Sequence, residues 1–428
     1  MVKKIIKLFS FTVILLLSIQ FSFAQTNKQT CINGAVKVYL DCPYCDDDFM
    51  RTEINCVNFV RDRMQADVHL LITYQSTGSG GSTYTIYYFG QQVFQNENDT
   101  LYYTANSNNT SDETRKGLTQ IISIGLMRYV AHTTIANDII ITSTIKDSSS
   151  AATKDTIDHW RSWVYSISGN GTWDGEKQST SESYYGNLSA DKVTEKMKLN
   201  FSVGMNYQKN IYKLNDSTEY LNESNSTYGE VSYVKSLSKH WSAGLTSGYY
   251  SSIYDNIKWM ASIGPAIEYN VFPYSQSNRK LWTFYYEIQY QAGEYNEETI
   301  YEKINQSVVQ QKLKSSLSFK QKWGSTNITI SGSAYLYDLS KNNFFISGNA
   351  RIRLVEGLSV NLYGRFSIIH DQISLPKLEA SPEEILLQIK QLQTNYRYFG
   401  GVGLSYQFGS IYNNIVNPRF NSGSYYFD

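Results

Sequence analysis

Residues 196–207 read KMKLNFSVGMNY, in which Met197, Leu199, Phe201, Val203, Met205 and Tyr207 alternate with Lys196, Lys198, Asn200, Ser202, Gly204 and Asn206. A period of two marks a β-strand whose faces meet different surroundings. The pattern returns at 358–368, LSVNLYGRFSI, and at 397–409, RYFGGVGLSYQFG. Twelve such segments fill the chain beyond residue 159: about 160–173, 181–193, 196–209, 227–238, 240–254, 256–273, 280–297, 307–323, 325–338, 342–355, 357–373 and 394–409. All exceed the five or six residues usual in soluble sheets, and they are long enough to cross a bilayer with tilt.

The connections near 194, 239, 275, 324 and 356 are short, whereas those near 177, 218, 255, 301, 340 and 383 are polar and often longer. Short turns on one side, longer loops on the other and an even strand count are the pattern of an outer-membrane barrel. Trp163, Trp173, Trp241, Trp259, Trp282 and Trp323 fall on the apolar faces at or near segment ends, as aromatic girdles require. A soluble β-sandwich, the competing architecture, would show mostly aliphatic residues there.

Composition agrees. The 428 residues include 36 Tyr, 19 Phe and 7 Trp with only 6 Pro. Outside residues 8–24 no stretch approaches the roughly 18 apolar residues of a spanning helix, which excludes a helical-bundle transporter. Thirty-eight basic and 38 acidic residues balance, so no polybasic patch points to nucleic acid. Mean hydropathy is -0.38, an average over lipid-facing, lumen-facing and loop residues.

Lys3, Lys4 and Lys7, the apolar run FTVILLLSIQF and small residues at Ser22 and Ala24 predict a secretory signal peptide over residues 1–24. Residues 25–146 read as a small periplasmic α/β domain. Its expected elements are strands at Val36–Leu40, Val68–Tyr74, Tyr84–Phe89, Leu101–Thr104 and Ile139–Ile145, and helices over about Asp47–Met64 and Asp112–His132, the second capped by Ser111 or Asp112. This order is similar to that of periplasmic docking domains of the kind at the N-terminus of TolB. Residues 147–158 are a polar linker, 159–409 the twelve-stranded antiparallel transmembrane β-barrel, and 410–428 a periplasmic C-terminal tail.

Four motifs, VYLDCPYCDDDFMRTEINCVNFVRDR from residue 38, KSLSKHWSAGL from 235, EYNVFPYS from 268 and SYQFGSIYNNIVNPRF from 405, resemble an uncharacterised outer-membrane β-barrel family of Gram-negative bacteria that carries an N-terminal periplasmic α/β domain. The resemblance spans nearly the whole mature chain and implies location and fold rather than a reaction.

CPYC at 42–45 follows a strand and precedes a helix, as a glutaredoxin motif does. Pro43 is the only proline before Pro265, so the proline loop that faces thioredoxin-like thiols is missing. Asp46, Asp47 and Asp48 would raise a neighbouring thiol's pKa, and they suit the N-terminus of a helix better than calcium. Cys31, Cys42, Cys45 and Cys56 all lie in one exported domain, which favours structural disulfides over a zinc site; three pairings are open. His69, His132, His159, His240 and His370 show no metal-binding spacing, and Asp371 points away from its neighbour His370 on a strand, so a lipase-like triad is not expected.

With the apolar set toward lipid, Lys196, Lys198, Lys312, Lys314, Lys320, Arg351, Arg353, Arg365 and Arg397 face the lumen together with Glu230, Glu268 and Glu287. The arginines lie on the last three strands, and Glu268 and Glu287 on the sixth and seventh, roughly opposite. Such rows favour an anionic or zwitterionic solute in an open pore. At twelve strands the same side chains can instead close the lumen. Residues 381–394, SPEEILLQIKQLQT, read as a helix in the last outer loop with Ser381 and Glu384 as a capping box.

The favoured expectation is a non-enzymatic outer-membrane barrel without cofactor or metal, contacting outer-membrane lipid, whose residues 25–146 dock a periplasmic or envelope protein. The alternatives are a narrow solute channel with a cationic lumen and, less favoured, a lipid-modifying enzyme.

Overall fold

The computed structural model describes residues 31–78, 80–140, 142, 160–215, 218–377, 391–412, 414, 416 and 419. The expected signal peptide, the linker, the 381–390 part of the helical insert and most of the C-terminal tail lie outside the described residues.

The N-terminal domain is a five-stranded sheet in the order β2-β1-β3-β4-β5, formed by β1 (Lys37–Asp41), β2 (Asn58–Phe59), β3 (Val68–Ser76), β4 (Ser82–Gly90) and β5 (Asn98–Ala105). β1 is parallel to β2 and β3, and the other pairs are antiparallel. Helices α1 (Asp47–Glu53) and α2 (Ser111–Val130) cover one face. Val38, Leu40, Val68, Leu70, Ile72, Ile86 and Tyr88 from the sheet pack with Met50, Leu118, Ile122, Leu126 and Tyr129 from the helices.

Two local expectations change. The first helix stops at Glu53 rather than Met64, because the chain returns to the sheet as β2, where Asn58 and Phe59 pair with Lys37 and Val38. Thr110, not Ser111 or Asp112, caps α2: its hydroxyl accepts from Glu113 N, and the Glu113 carboxylate accepts from Thr110 N, a full capping box. A 3-10 turn spans Thr134–Asp138, and most of the expected strand Ile139–Ile145 lies outside the described residues.

The remaining strands form one antiparallel sheet in sequence order: β6 (Trp163–Gly175), β7 (Ser179–Val193), β8 (Met197–Asn215), β9 (Thr218–Ser236), β10 (Trp241–Ser252), β11 (Ile257–Asn270), β12 (Lys280–Tyr295), β13 (Asn305–Gln321), β14 (Gly324–Tyr335), β15 (Asp338–Val355), β16 (Leu358–Ile369) and β17 (Tyr396–Tyr406). All twelve expected segments are strands. Laid flat, twelve strands would be about 57 Å wide at about 4.8 Å each, whereas a domain of about 100 residues is only some 30 Å across. Yet the N-terminal domain touches both ends of the sheet. A methyl on Gly78 would sit 2.8 Å from Val193 Cβ at the end of β7, and Arg61 bonds Gly409 O just beyond β17. The sheet therefore curls into a barrel wall. β6 and β17 form its two edges, and among the described residues no ladder pair joins them.

The wall's outer face carries Phe201, Val203, Met205, Val231, Leu245, Ile263, Phe284, Ile288, Leu313, Ile346 and Phe366, all exposed. An apolar belt of this extent requires lipid. Trp173 and Trp259 rim it at one end and Trp163, Trp241, Trp282 and Trp323 at the other. Trp163 and Trp173 are ten residues apart on one strand, about 33 Å along it and about 25 Å along the barrel axis at the usual tilt, which matches the apolar band of outer-membrane barrels.

Candidate functional site

The domain sheet has a second face, and this face meets the barrel. Side chains alternate across a strand, so while Val38, Leu70 and Ile86 enter the helix-side core, Tyr39, Asp41, His69, Leu71, Thr73, Thr85, Tyr87 and Phe89 point the other way. Asp41, His69, Leu71, Thr73 and Thr85 are nevertheless buried. In sequence this shows as VHLLIT, apolar with little alternation, the mark of a strand covered on both sides.

At the centre lies Asp41. Arg353, near the end of β15, donates from both terminal nitrogens to the Asp41 carboxylate at 2.5 and 2.7 Å. The Arg353 guanidinium also lies 5.1 Å from the Tyr39 ring centroid. His69, wholly buried, places Nε2 3.1 Å from Asp41 Oδ2. An ionised carboxylate only accepts, so Nε2 carries the proton; Nδ1 is then a buried acceptor without a partner among the described residues. Burial alone would raise the Asp41 carboxyl, but the Arg353 and His69 hydrogen bonds outweigh it and hold its pKa at about 2. Burial lowers the His69 pKa against the opposing pull of Asp41, so the imidazole stays neutral at pH 7.

Around this centre the barrel turns supply cations and the domain supplies rings. Arg279 lies 4.7 Å from the Tyr87 centroid and 5.3 Å from that of Phe89, and Lys322 lies 4.2 Å from Phe89. Lys320 sits 5.9 Å from Tyr74. Asn278 donates to Tyr87 Oη at 2.8 Å, Gln75 to Ser277 Oγ at 2.9 Å, and Gly357 N to Asp62 at 2.5 Å. The chain after β17 adds to the free side of β2: Val60 bridges Tyr412, and Phe59 N donates to Asn414 at 2.6 Å. The N-terminal domain is thus a cap seated across one mouth of the barrel.

At the other mouth a short segment folds back from the wall. Residues 371–377, after β16, run back over the β10–β11 and β12–β13 connections. Asn256 donates to Ser374 O at 2.8 Å, Ile300 N donates to Leu375 O at 2.9 Å, and Ile373 is buried against Val308 and Tyr335.

The expected lumen charges divide among these surroundings. Lys312 and Lys314 stand opposite Glu287 and Tyr285 in the β12–β13 ladder, and Lys314 lies 5.2 Å from the Tyr285 ring. Glu287 is buried and bonded to Thr246 Oγ1, and Glu268 accepts from Tyr274 Oη at 2.8 Å. Arg351 bonds Asn361 Oδ1 at 2.9 Å, and Arg365 lies over Phe345 and reaches Ser367. Arg397 stands opposite Ser367. Arg353 departs from the expectation of a pore-lining charge, because its carboxylate partner comes from the cap. Sequence reading missed Asp41, His69, Arg279 and Lys322 as members of one cluster; the doubly apolar β3 was the signal available.

Of the four candidate cysteines, Cys42 and Cys45 form a disulfide, whereas Cys31 and Cys56 are free thiols, so the expectation that all four pair is corrected. A three-residue separation lets the CPYC turn close on itself. Burial raises the Cys56 pKa. Asp46 caps α1 through Phe49 N and pairs with Arg115 at 2.7 Å, so this acidic residue serves the helix terminus. His370 and Asp371 do not meet: Asp371 instead accepts from Asn343 at 3.1 Å.

A curled twelve-stranded antiparallel wall with an apolar belt and two aromatic rims defines an outer-membrane β-barrel protein. The chain is similar in fold to the translocator domain of autotransporter NalP from Neisseria meningitidis, with 11% identity over 57% of this chain and 87% of that one and a TM-score of 0.26. No protein-family model matches the chain, nor does any curated protein.

Proposed function

We propose that this protein is a non-enzymatic outer-membrane barrel that works as a narrow, gated solute channel, with its own α/β domain as the gate on the periplasmic side. The carrying observation is the Arg353–Asp41–His69 cluster, which ties the cap's inner face to the end of β15. A pair of buried charges on two separable units suits a latch: it holds well when both partners are present and poorly when one is lost. Lys196 and Lys198, without an ion-pair partner among the described residues, favour anionic or zwitterionic solutes over cations. Single-channel recording in planar bilayers tests the reading. The intact protein is expected to show rare openings, and Arg353→Glu, which sets like charges face to face, frequent ones; silence from both would refute the channel.

A second reading, docking of an envelope partner by the cap, draws support from β5. Among the described residues this strand pairs on one side only, and Tyr102 projects from it 65% exposed. Strand addition at that edge is a common route for peptide docking. Loss of a co-purifying envelope protein when Tyr102 is replaced by Lys would support it.

A further inference from the structure

A cavity of about 950 Å³ lies against the inner wall beside the cap, reached from the β7–β8, β9–β10 and β11–β12 turns. The ladders set two rows across its floor. In one, Lys196, Ser236, Ser242 and Glu268 stand side by side on successive strands. In the other the order is Lys198, Val234, Gly244, Ala266 and Glu287. The first row therefore runs from a lysine over small residues to a glutamate within the cavity, whereas the second ends on Glu287, which is buried and bonded to Thr246 rather than lining the cavity. Among the described residues Lys196 and Lys198 have no ion-pair partner, and Glu268 has a side-chain bond from Tyr274.

Lysines and glutamates that are three or four strands apart cannot neutralise one another. At about 4.8 Å per strand, the Lys196 to Glu268 separation is about 14 Å along the wall. Small residues between them leave room for the middle of a ligand. We infer that this cavity binds an elongated zwitterionic solute, its anionic end on Lys196 and Lys198 and its ammonium end on Glu268, of the length of a tri- or tetrapeptide. Extended chains gain about 3.5 Å per residue, so three or four residues span the two ends. The inference deepens the channel reading by naming its solute class, but binding is measurable whether or not the barrel conducts.

The test is calorimetric titration of the full-length protein in nanodiscs with unmodified alanine oligomers of one to six residues, then with N-acetylated and C-amidated forms of the best length. Saturable binding peaking at three or four residues is expected, and each cap is expected to weaken it about tenfold, the usual worth of a bond to a charged group. Lys196→Gln with Lys198→Gln should weaken the amidated peptide far less than the free acid. Equal binding of free and capped peptides, no preference for length, or no saturable binding would overturn the inference. Zwitterion binding by a barrel that proves silent in bilayers would support the site while refuting the channel.

Discussion

Replacing Asp41 by Asn tests the latch most directly, because it keeps the side chain's shape and removes only its charge. The Asp41 carboxyl falls from 3.8 to about 2 in the folded protein. At about 1.4 kcal/mol per pKa unit, the ionised form is favoured by about 2 kcal/mol over a neutral side chain of the same shape. Stranding the Arg353 charge, which is mostly buried at that seam, raises the upper bound to about 3–5 kcal/mol. Even the lower figure shifts the seated-to-unseated ratio of the cap about 30-fold. Two readouts follow. Openings in planar bilayers should become more frequent, and hydrogen exchange at the amides of β3 should quicken as its barrel-side face meets water. A double replacement, Asp41→Leu with Arg353→Met, removes both charges without stranding either and should restore the seated cap. Wild-type opening frequency together with wild-type exchange in Asp41→Asn would refute the assignment of Asp41 as the latch.

Acidification should loosen the same seam. Both folded pKa values are depressed, that of His69 below 6.5 and that of Asp41 to about 2. Their stabilisation is thus present above the unfolded values and lost as pH falls, first through His69 and then, below about 3.8, through Asp41; lower protection of the β3 amides at pH 5 than at pH 7.5, each relative to the intrinsic base-catalysed exchange rate at that pH, is the expected sign. The amides of β6 and β17 should exchange faster than those of β12, whose neighbours pair on both sides; equal protection would show that the two edges join in the membrane. Gly125→Ala should destabilise the cap by about 1–3 kcal/mol, since the added methyl would lie 2.2 Å from the Tyr88 ring; thermal unfolding followed by near-ultraviolet dichroism checks this. Mass spectrometry after alkylation should find Cys31 and Cys56 modified and Cys42 and Cys45 protected, with Cys56 slow because burial raises its pKa.

The division between what was legible in the sequence and what was not follows the range of the forces. Alternation such as Met197, Leu199, Phe201 against Lys198, Asn200, Ser202 is set by adjacent residues and by the pleat, so it can be read locally, and it assigns each strand's lipid and lumen faces together with the aromatic rims. The first helix was overextended because Phe49, Ile54, Val57 and Val60 share an apolar spacing that a helix can use, yet Val57 and Phe59 bury more completely beside β1. The two lysine-to-glutamate rows lie in residue types already assigned to the lumen, but only the ladder registers show that they share rows. The latch was out of reach for a stronger reason. Asp41 and Arg353 are 312 residues apart, and nothing near either names the other. They meet because the wall curls, its turns collect at one mouth, and the cap lowers the doubly apolar face of its sheet onto them. The sequence by itself determined a membrane barrel carrying a small α/β domain; only the tertiary structure decided that this domain sits against one mouth of the barrel, since that seat depends on contacts that exist after both units have folded.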